Sequence, residues 1–247
     1  MRVLFLVLLA GCASTGAQLP TVVDTESLQA RMLSAQSQLK SYVGEARLTY
    51  FGPDGRVKGT ATLAVEKPAS LRYEIQGPHG GVIEAFATNG VELQLLDFKT
   101  NRFIYGPANP STIDQLLSFA PLGMDASQWV AMLCGDLIPP VTAEATAVGD
   151  AVRVRWEQDG LTRELWVDDD GRTERALAYR QDVVVSEVRV EGRGDRGLPN
   201  RLALKVPEAD VDMVIRLRDL DFDVSLGADV FRIDAPESAE RVYVGGP

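Results

Sequence analysis

Of the residue types that do chemistry, the chain holds one histidine and two cysteines among its 247 residues. A His-based di-metal centre, a four-cysteine zinc site and a disulfide framework are therefore excluded by count. His79 lies in Gly77-Pro78-His79-Gly80-Gly81, a composition that predicts a solvent-exposed turn. With no second histidine and no carboxylate in that loop, neither a metal site nor a Ser-His-Asp triad is expected there. Asp168-Asp169-Asp170-Gly171 suggests a calcium loop, but the EF-hand register would need ligand oxygens at Trp166 and a glutamate at Leu177, so a hairpin turn is expected instead. Glu74 and Glu84 could pair as glycosidase carboxylates do, yet both fall on the polar phase of alternating segments and are expected to face water. No nucleophile elbow, Walker loop or dinucleotide fingerprint occurs. The expectation is a protein that is not an enzyme, with no catalytic residues, no metal and no cofactor.

The cysteines differ in context. Met1-Arg2 gives a short positive start, and Val3 to Ala10 is an unbroken run of eight apolar residues. As a helix that run rises only about 12 Å against a hydrocarbon core of about 30 Å, so it reads as a signal peptide and not as a membrane span. Leu9-Ala10-Gly11-Cys12 resembles the bacterial lipobox, which implies a lipidated Cys12 at the head of the mature chain. Ala13, in place of aspartate, resembles cargo sorted to the outer membrane. Acyl chains such as palmitate hold through about 0.8 kcal/mol per buried methylene, so a multiply acylated Cys12 is a stable anchor. The expected organisation is a lipoprotein signal peptide over residues 1–11, a lipidated flexible tether over 12–24 and one folded domain over 25–247. Cys134 follows Trp129 and Leu133 on an apolar helix and is expected to pack as a small hydrophobe.

Those residues need a scaffold. Hydrophobic residues make up 45% of the chain, enough for a buried core, and 35 acidic against 25 basic residues argue against a nucleic-acid partner. Leu28, Met32, Ala35, Leu39 and Tyr42 recur at steps of three or four, predicting a helix over Thr25 to Val43, with Asp24 or Thr25 as N-cap and Gly44 ending it. Beyond Gly44 the period becomes two, with runs such as Leu71 to Gln76 and Val82 to Thr88. The helical period returns at Pro110 to Pro121 and Asp125 to Gly135, with Ser111 and Asp125 as candidate caps. Strands then resume, and the apolar phase slips from Ile215 and Leu217 to Leu220 and Phe222, which predicts a bulge near Arg218 and Asp219.

The layout is α+β and mostly β: one curved antiparallel sheet forming an incomplete barrel of about eleven strands, with an N-terminal helix and a central helical lid or plug. Its interior is either a lined apolar pocket or a filled core; the binary pattern fits both. Ile75, Phe86, Leu93, Leu116, Phe119, Trp129 and Met132 are candidates to line an acyl-chain pocket, though each taken singly fits ordinary core better.

This order of elements resembles the LolA/LolB superfamily of lipoprotein carriers and receptors, and more closely its LolB side. The resemblance spans the mature chain. It is best in Leu71-Arg72-Tyr73-Glu74-Ile75-Gln76-Gly77-Pro78-His79-Gly80-Gly81 and in Gln128-Trp129-Val130-Ala131-Met132-Leu133-Cys134-Gly135. Ala228 to Pro236, with its Phe-x-x-x-x-Pro spacing, resembles the family's closing strand. The resemblance implies a half-open barrel with a helical lid that accepts the acyl chains of lipoproteins from a LolA-like periplasmic carrier and relays them to the outer membrane. It implies a periplasm-facing, membrane-anchored monomer, with Pro78, His79 and Gly80 as its protruding loop. The family places a large apolar residue where this chain has His79, a weaker membrane wedge. The alternative is a lipid-sensing or structural envelope lipoprotein with the same barrel and no transfer activity.

Overall fold

Period-two alternation organises the chain into two antiparallel meanders separated by a helical insert. The computed structural model describes residues 21–36, 39–53, 55–77, 80–117 and 120–245. Cys12, Pro78, His79 and Phe119 lie outside the described residues. The elements in chain order begin with β1 (Val22–Val23), α1 (Thr25–Gln36), β2 (Ser41–Gly52), β3 (Gly55–Glu66) and β4 (Ser70–Gln76). They continue with β5 (Val82–Thr88), β6 (Glu92–Asp97), β7 (Arg102–Pro107), α2 (Pro110–Leu116) and α3 (Ala126–Cys134). The second meander is β8 (Glu144–Val148), β9 (Ala151–Gln158), β10 (Leu161–Val167), β11 (Thr173–Arg180), β12 (Val183–Arg193), β13 (Pro199–Val206) and β14 (Val211–Phe222), and the chain closes with β15 (Glu240–Tyr243).

All the strands belong to one sheet in the order β1-β8-β9-β10-β11-β12-β13-β14-β2-β3-β4-β5-β6-β7-β15. The meanders join where β14 pairs antiparallel with β2, Ile215 opposite Leu48. The sheet is curved and does not close into a barrel; β1 and β15 are its edges. Among the described residues it has fifteen strands where about eleven were expected. β1, β8 and β15 are too short or too rich in alanine to announce themselves by alternation. β15 also runs parallel to β7, so the sheet is not wholly antiparallel. Val22 and Val23, in the segment expected to be a tether, pair with Thr146 and Ala145 of β8.

Three boundaries differ from the sequence expectation for identifiable reasons. The first helix ends at Gln36, and Tyr42 is a fully buried residue of β2. Gly44 is not a helix terminator. It faces the β14 bulge, where a Cβ would lie 2.8 Å from the Asp219 carbonyl and 2.9 Å from that of Arg218. That bulge is where the phase slip placed it: register shifts between Arg218 and Asp221, and Asp219 has φ 48°. Finally, Ala228–Phe231 is a 3-10 turn whose Phe231 is buried, and the closing strand comes later, at Glu240–Tyr243.

The concave face carries the main core, with α1 and α3 packed into it through Leu28, Met32, Trp129, Val130 and Leu133. A smaller apolar cluster of Ala85, Ala87, Leu96 and Phe103 lies on the convex face, covered by Ile233 and Ala239 of the C-terminal segment. No helix among the described residues is long and apolar enough to cross a membrane.

Candidate functional site

The helical insert decides what the concave face can hold. Asn109, not Ser111, caps α2, because Pro110 occupies the first helical position and lacks an N–H. The Asn109 side chain accepts from the Thr112 amide at 2.9 Å. Asp125 caps α3 as expected, in a reciprocal box: the Gln128 amide donates to Asp125 Oδ1 at 2.9 Å and the Asp125 amide to Gln128 Oε1 at 3.0 Å. Gly135 ends α3 in the left-handed region at φ 69°, and a Cβ there would lie 2.7 Å from Arg193 Nη1 and 2.9 Å from Pro199 Cγ. Asp114 of α2 accepts from the Gly123 amide at 3.0 Å, tying α2 to the loop that leads into α3.

Held this way, α3 divides the concave space. On one side Trp129 and Leu133 cover a cleft of about 60 Å³ whose floor is Ala46, Leu48, Leu63, Leu71, Tyr73 and Ile75, with Met213 and Ile215 beside it. Every lining side chain is aliphatic or aromatic. The one hydroxyl, on Tyr73, donates to Glu84 Oε1 at 2.9 Å. The indole N–H of Trp129 is buried and has no hydrogen-bond partner among the described residues. On the other side of α3 a cavity of about 310 Å³ runs from Met124, Ser127 and Arg163 beside its N-terminal turn to Asp136 and Lys67 past its C-terminal end.

Of the expected pocket residues, the structure brings Ile75 and Trp129 together at the apolar cleft. Phe86 is fully buried and stacks on Tyr73, its partner across β4 and β5, with ring centroids 5.2 Å apart, and Leu93 is fully buried as well; both are core residues that do not line the cleft. Met132 is buried where α3 meets β11 and β12, away from the cleft, and Leu116 is a half-buried neighbour of the core. Gly80 is exposed at φ 84° in the turn after β4, its amide donating to the Gly77 carbonyl at 3.0 Å. Parity also exposes a missed set: Ala46, Leu48, Leu63, Leu71 and Tyr73 share the inward phase of their strands, and Arg163 shares the inward phase of Leu165 and Val167.

The remaining titratable candidates are structural or separated. Asp168 closes the β10–β11 hairpin as expected, accepting from the Arg172 amide through Oδ1 at 2.7 Å. Glu84 corrects the expectation that it faces water. It sits opposite Ile75 on the concave face, where burial pushes its carboxyl pKa up and the Tyr73 hydrogen bond opposes that rise. Glu74 is on the opposite face, paired with Arg72 at 2.5 Å, so the two carboxylates do not address one bond. Cys134 is buried with a free thiol, as expected, and burial pushes its pKa up to about 12. Asp136 is raised by burial, against its 2.6 Å ion pair with Lys67.

This architecture has solved counterparts. A DUF1329 family protein from Desulfovibrio piger superposes with a TM-score of 0.61 at 11% identity, covering 85% of this chain and 97% of that one. A LolA superfamily protein from Nitrosomonas europaea gives 0.57 at 12% identity, covering 85% and 98%. A domain assigned as an outer membrane lipoprotein-sorting protein from Vibrio parahaemolyticus gives 0.57 at 8% identity, covering 83% and 94%. No family model and no curated protein matches the chain. The chain shares its fold with these three structures, one of them a LolA superfamily protein.

Proposed function

We propose that this chain is a non-enzymatic, envelope-located binding protein for acylated lipoproteins. In this reading Cys12 is lipidated and anchors it to the outer membrane with the domain facing the periplasm. It accepts lipoproteins from a LolA-like carrier and relays them to that membrane. The observation that carries the reading is the wholly apolar cleft between Trp129 and Leu133 of α3 and the β2–β4 floor, on a fold shared with a LolA superfamily protein and a lipoprotein-sorting domain. Apolar burial at about 25 cal/mol per Å² supplies the affinity without polar recognition, which suits cargo whose common feature is its acyl chains. The anchor raises the effective concentration of the cleft near its target membrane.

Ligand sites commonly measure about 300–1,000 Å³, well above the 60 Å³ of this cleft. Entry of a chain therefore requires α3 to lift from the β2–β4 floor, and α3 acts as the lid. The same small volume favours a second reading, in which the interior senses or holds lipid without passing it on.

The test uses the full chain carrying Cys12→Ala, mixed with a carrier loaded with acylated lipoprotein. Recovery of the lipoprotein on this chain, and its later appearance in added vesicles, is the expected result. Recovery without release to vesicles selects the second reading. No recovery at all contradicts both.

A further inference from the structure

Arg163 is a cation on the inward phase of β10, which otherwise carries Leu161, Leu165 and Val167. It sits between Trp156 of β9 and Ala178 of β11 in the sheet register, and is only 6% exposed. Nη2 donates to the Gly123 carbonyl at 3.1 Å, while Nε is buried with no partner and no described residue accepts from Nη1. No carboxylate among the described residues lies within ion-pairing distance of it. Three carboxylates act on its charge, Asp159 foremost, then Asp114 and Asp125, and none of them forms an ion pair with it. Asp114 accepts from the Gly123 amide, and Asp125 from the Gln128 amide and the Ser127 hydroxyl. Burial lowers the guanidinium pKa against the pull of those carboxylates, yet an arginine stays charged, so the site holds a desolvated cation with no direct ion pair among the described residues.

The space in front of Arg163 is elongated. The cavity of about 310 Å³ follows α3, and Val130, Leu165, Ala176 and Val188 form its apolar walls. Lys67 at the far end is already neutralised by Asp136 at 2.6 Å, which leaves Arg163 as the lining cation without an ion pair. Ser127, Gln128, Ser186 and Glu164, the last held by the Trp166 indole N–H at 2.7 Å, also line it, and a largely apolar cavity with one cation lacking an ion pair at its end is complementary to a chain with one anionic head.

We infer that the cavity between α3 and β9–β12 binds a single-chain amphiphile with an anionic head, the head on Arg163 and the chain along Val130, Leu165 and Val188. The head is a carboxylate or a phosphate, from a free fatty acid or a lysophospholipid. The cavity shares no lining residue with the apolar cleft, so the inference goes beyond the carrier reading and needs neither transfer nor a membrane anchor.

Three probes of one chain length test it on the full chain carrying Cys12→Ala: palmitate, 1-palmitoyl-lysophosphatidate and neutral 1-palmitoylglycerol, titrated by calorimetry. The anionic probes should bind at least about tenfold tighter than the neutral one, the size expected for a charge-assisted hydrogen bond in a dry site. The tighter of the two anionic probes identifies the source of the head. Arg163→Gln should abolish the preference while leaving palmitoylglycerol binding unchanged, and Arg163→Lys should restore part of it. Equal binding of charged and neutral probes overturns the inference, as does an unchanged preference in Arg163→Gln.

Should Arg163→Gln fail to fold, dibrominated stearate serves with the side chain intact, because bromine quenches nearby tryptophan. Quenching lost in Trp156→Phe places the chain in this cavity. Quenching lost only in Trp129→Phe places it in the apolar cleft and overturns the inference while leaving the carrier reading standing. Absence of binding by any acylated probe overturns both.

Discussion

The two sides of α3 face one continuous sheet and differ in the size of what the sheet sends to meet them. Toward β2–β4 the helix meets Leu63, Leu71 and Tyr73, with Phe86 stacked behind, and only about 60 Å³ is left open. Toward β9–β12 it meets Ala176, Ala178 and Ser186, and about 310 Å³ is left open, with Arg163 at one end. The Tyr73–Phe86 stack fills the space beside the cleft on the first side, whereas Ala176, Ala178 and Ser186 leave room on the second between larger neighbours such as Trp156 and Leu165. One helix thus packs over a small apolar cleft on one side and walls a larger cavity holding a cation on the other, and the two sides should respond differently to the same change.

Removing the helix's anchor is the most severe test. Trp129→Ala should cost about 3–5 kcal/mol in a urea melt, because its indole fills the packed side. A smaller cost, near that of a surface substitution, would mean that the first side is not close-packed. Adding volume should separate the two sides. Ala46→Leu, under the cleft, should destabilise by about 1–3 kcal/mol through overpacking. Ala178→Leu, facing the larger cavity, should be close to neutral in the same assay. Equal penalties would erase the distinction.

Two finer changes address how α3 is held. Asp125→Ala removes its reciprocal cap and should lower stability by about 1 kcal/mol. Cys134 reports on the end of the helix that both sides share. Its thiol pKa is raised by burial from an ordinary value near 9.0 to about 12, so the folded chain keeps a proton that the unfolded chain releases between those values. Stability should therefore fall as pH rises through that window, and Cys134→Ala should flatten the slope. Alkylation of Cys134 near its ordinary pKa should be slow until urea unfolds the protein.

Much of this contrast follows from parity, which is readable in the chain. Alternation located most strands and the β14 bulge, and residue type at a segment end located the Asp125 cap and the Asp168 hairpin, because each is a local pattern. Arg163 could have been found in the same way, since it shares its phase with Leu161, Leu165 and Val167 in β10. A cation on the apolar phase is the signal. The division of the interior was not readable. It depends on Tyr73 in β4 and Ala178 in β11 lying on opposite sides of one helix, and on β14 pairing with β2, and no local period encodes which distant strands become neighbours. Gly44 shows the same limit: it looks like a helix terminator in the chain and is a glycine because the Asp219 carbonyl approaches it from across the sheet.

The central claim is that the apolar cleft beneath Trp129 and Leu133 takes acyl chains. The direct measurement is photolabelling of the full chain carrying Cys12→Ala with a palmitoylated lipopeptide bearing a diazirine in its acyl chain, with the adducts located by mass spectrometry. Adducts on Trp129 and Leu133 of α3 and on Leu63, Leu71 and Ile75 of the facing strands are expected. Adducts confined to the convex face, or none above those given by a diazirine peptide without an acyl chain, would contradict the account.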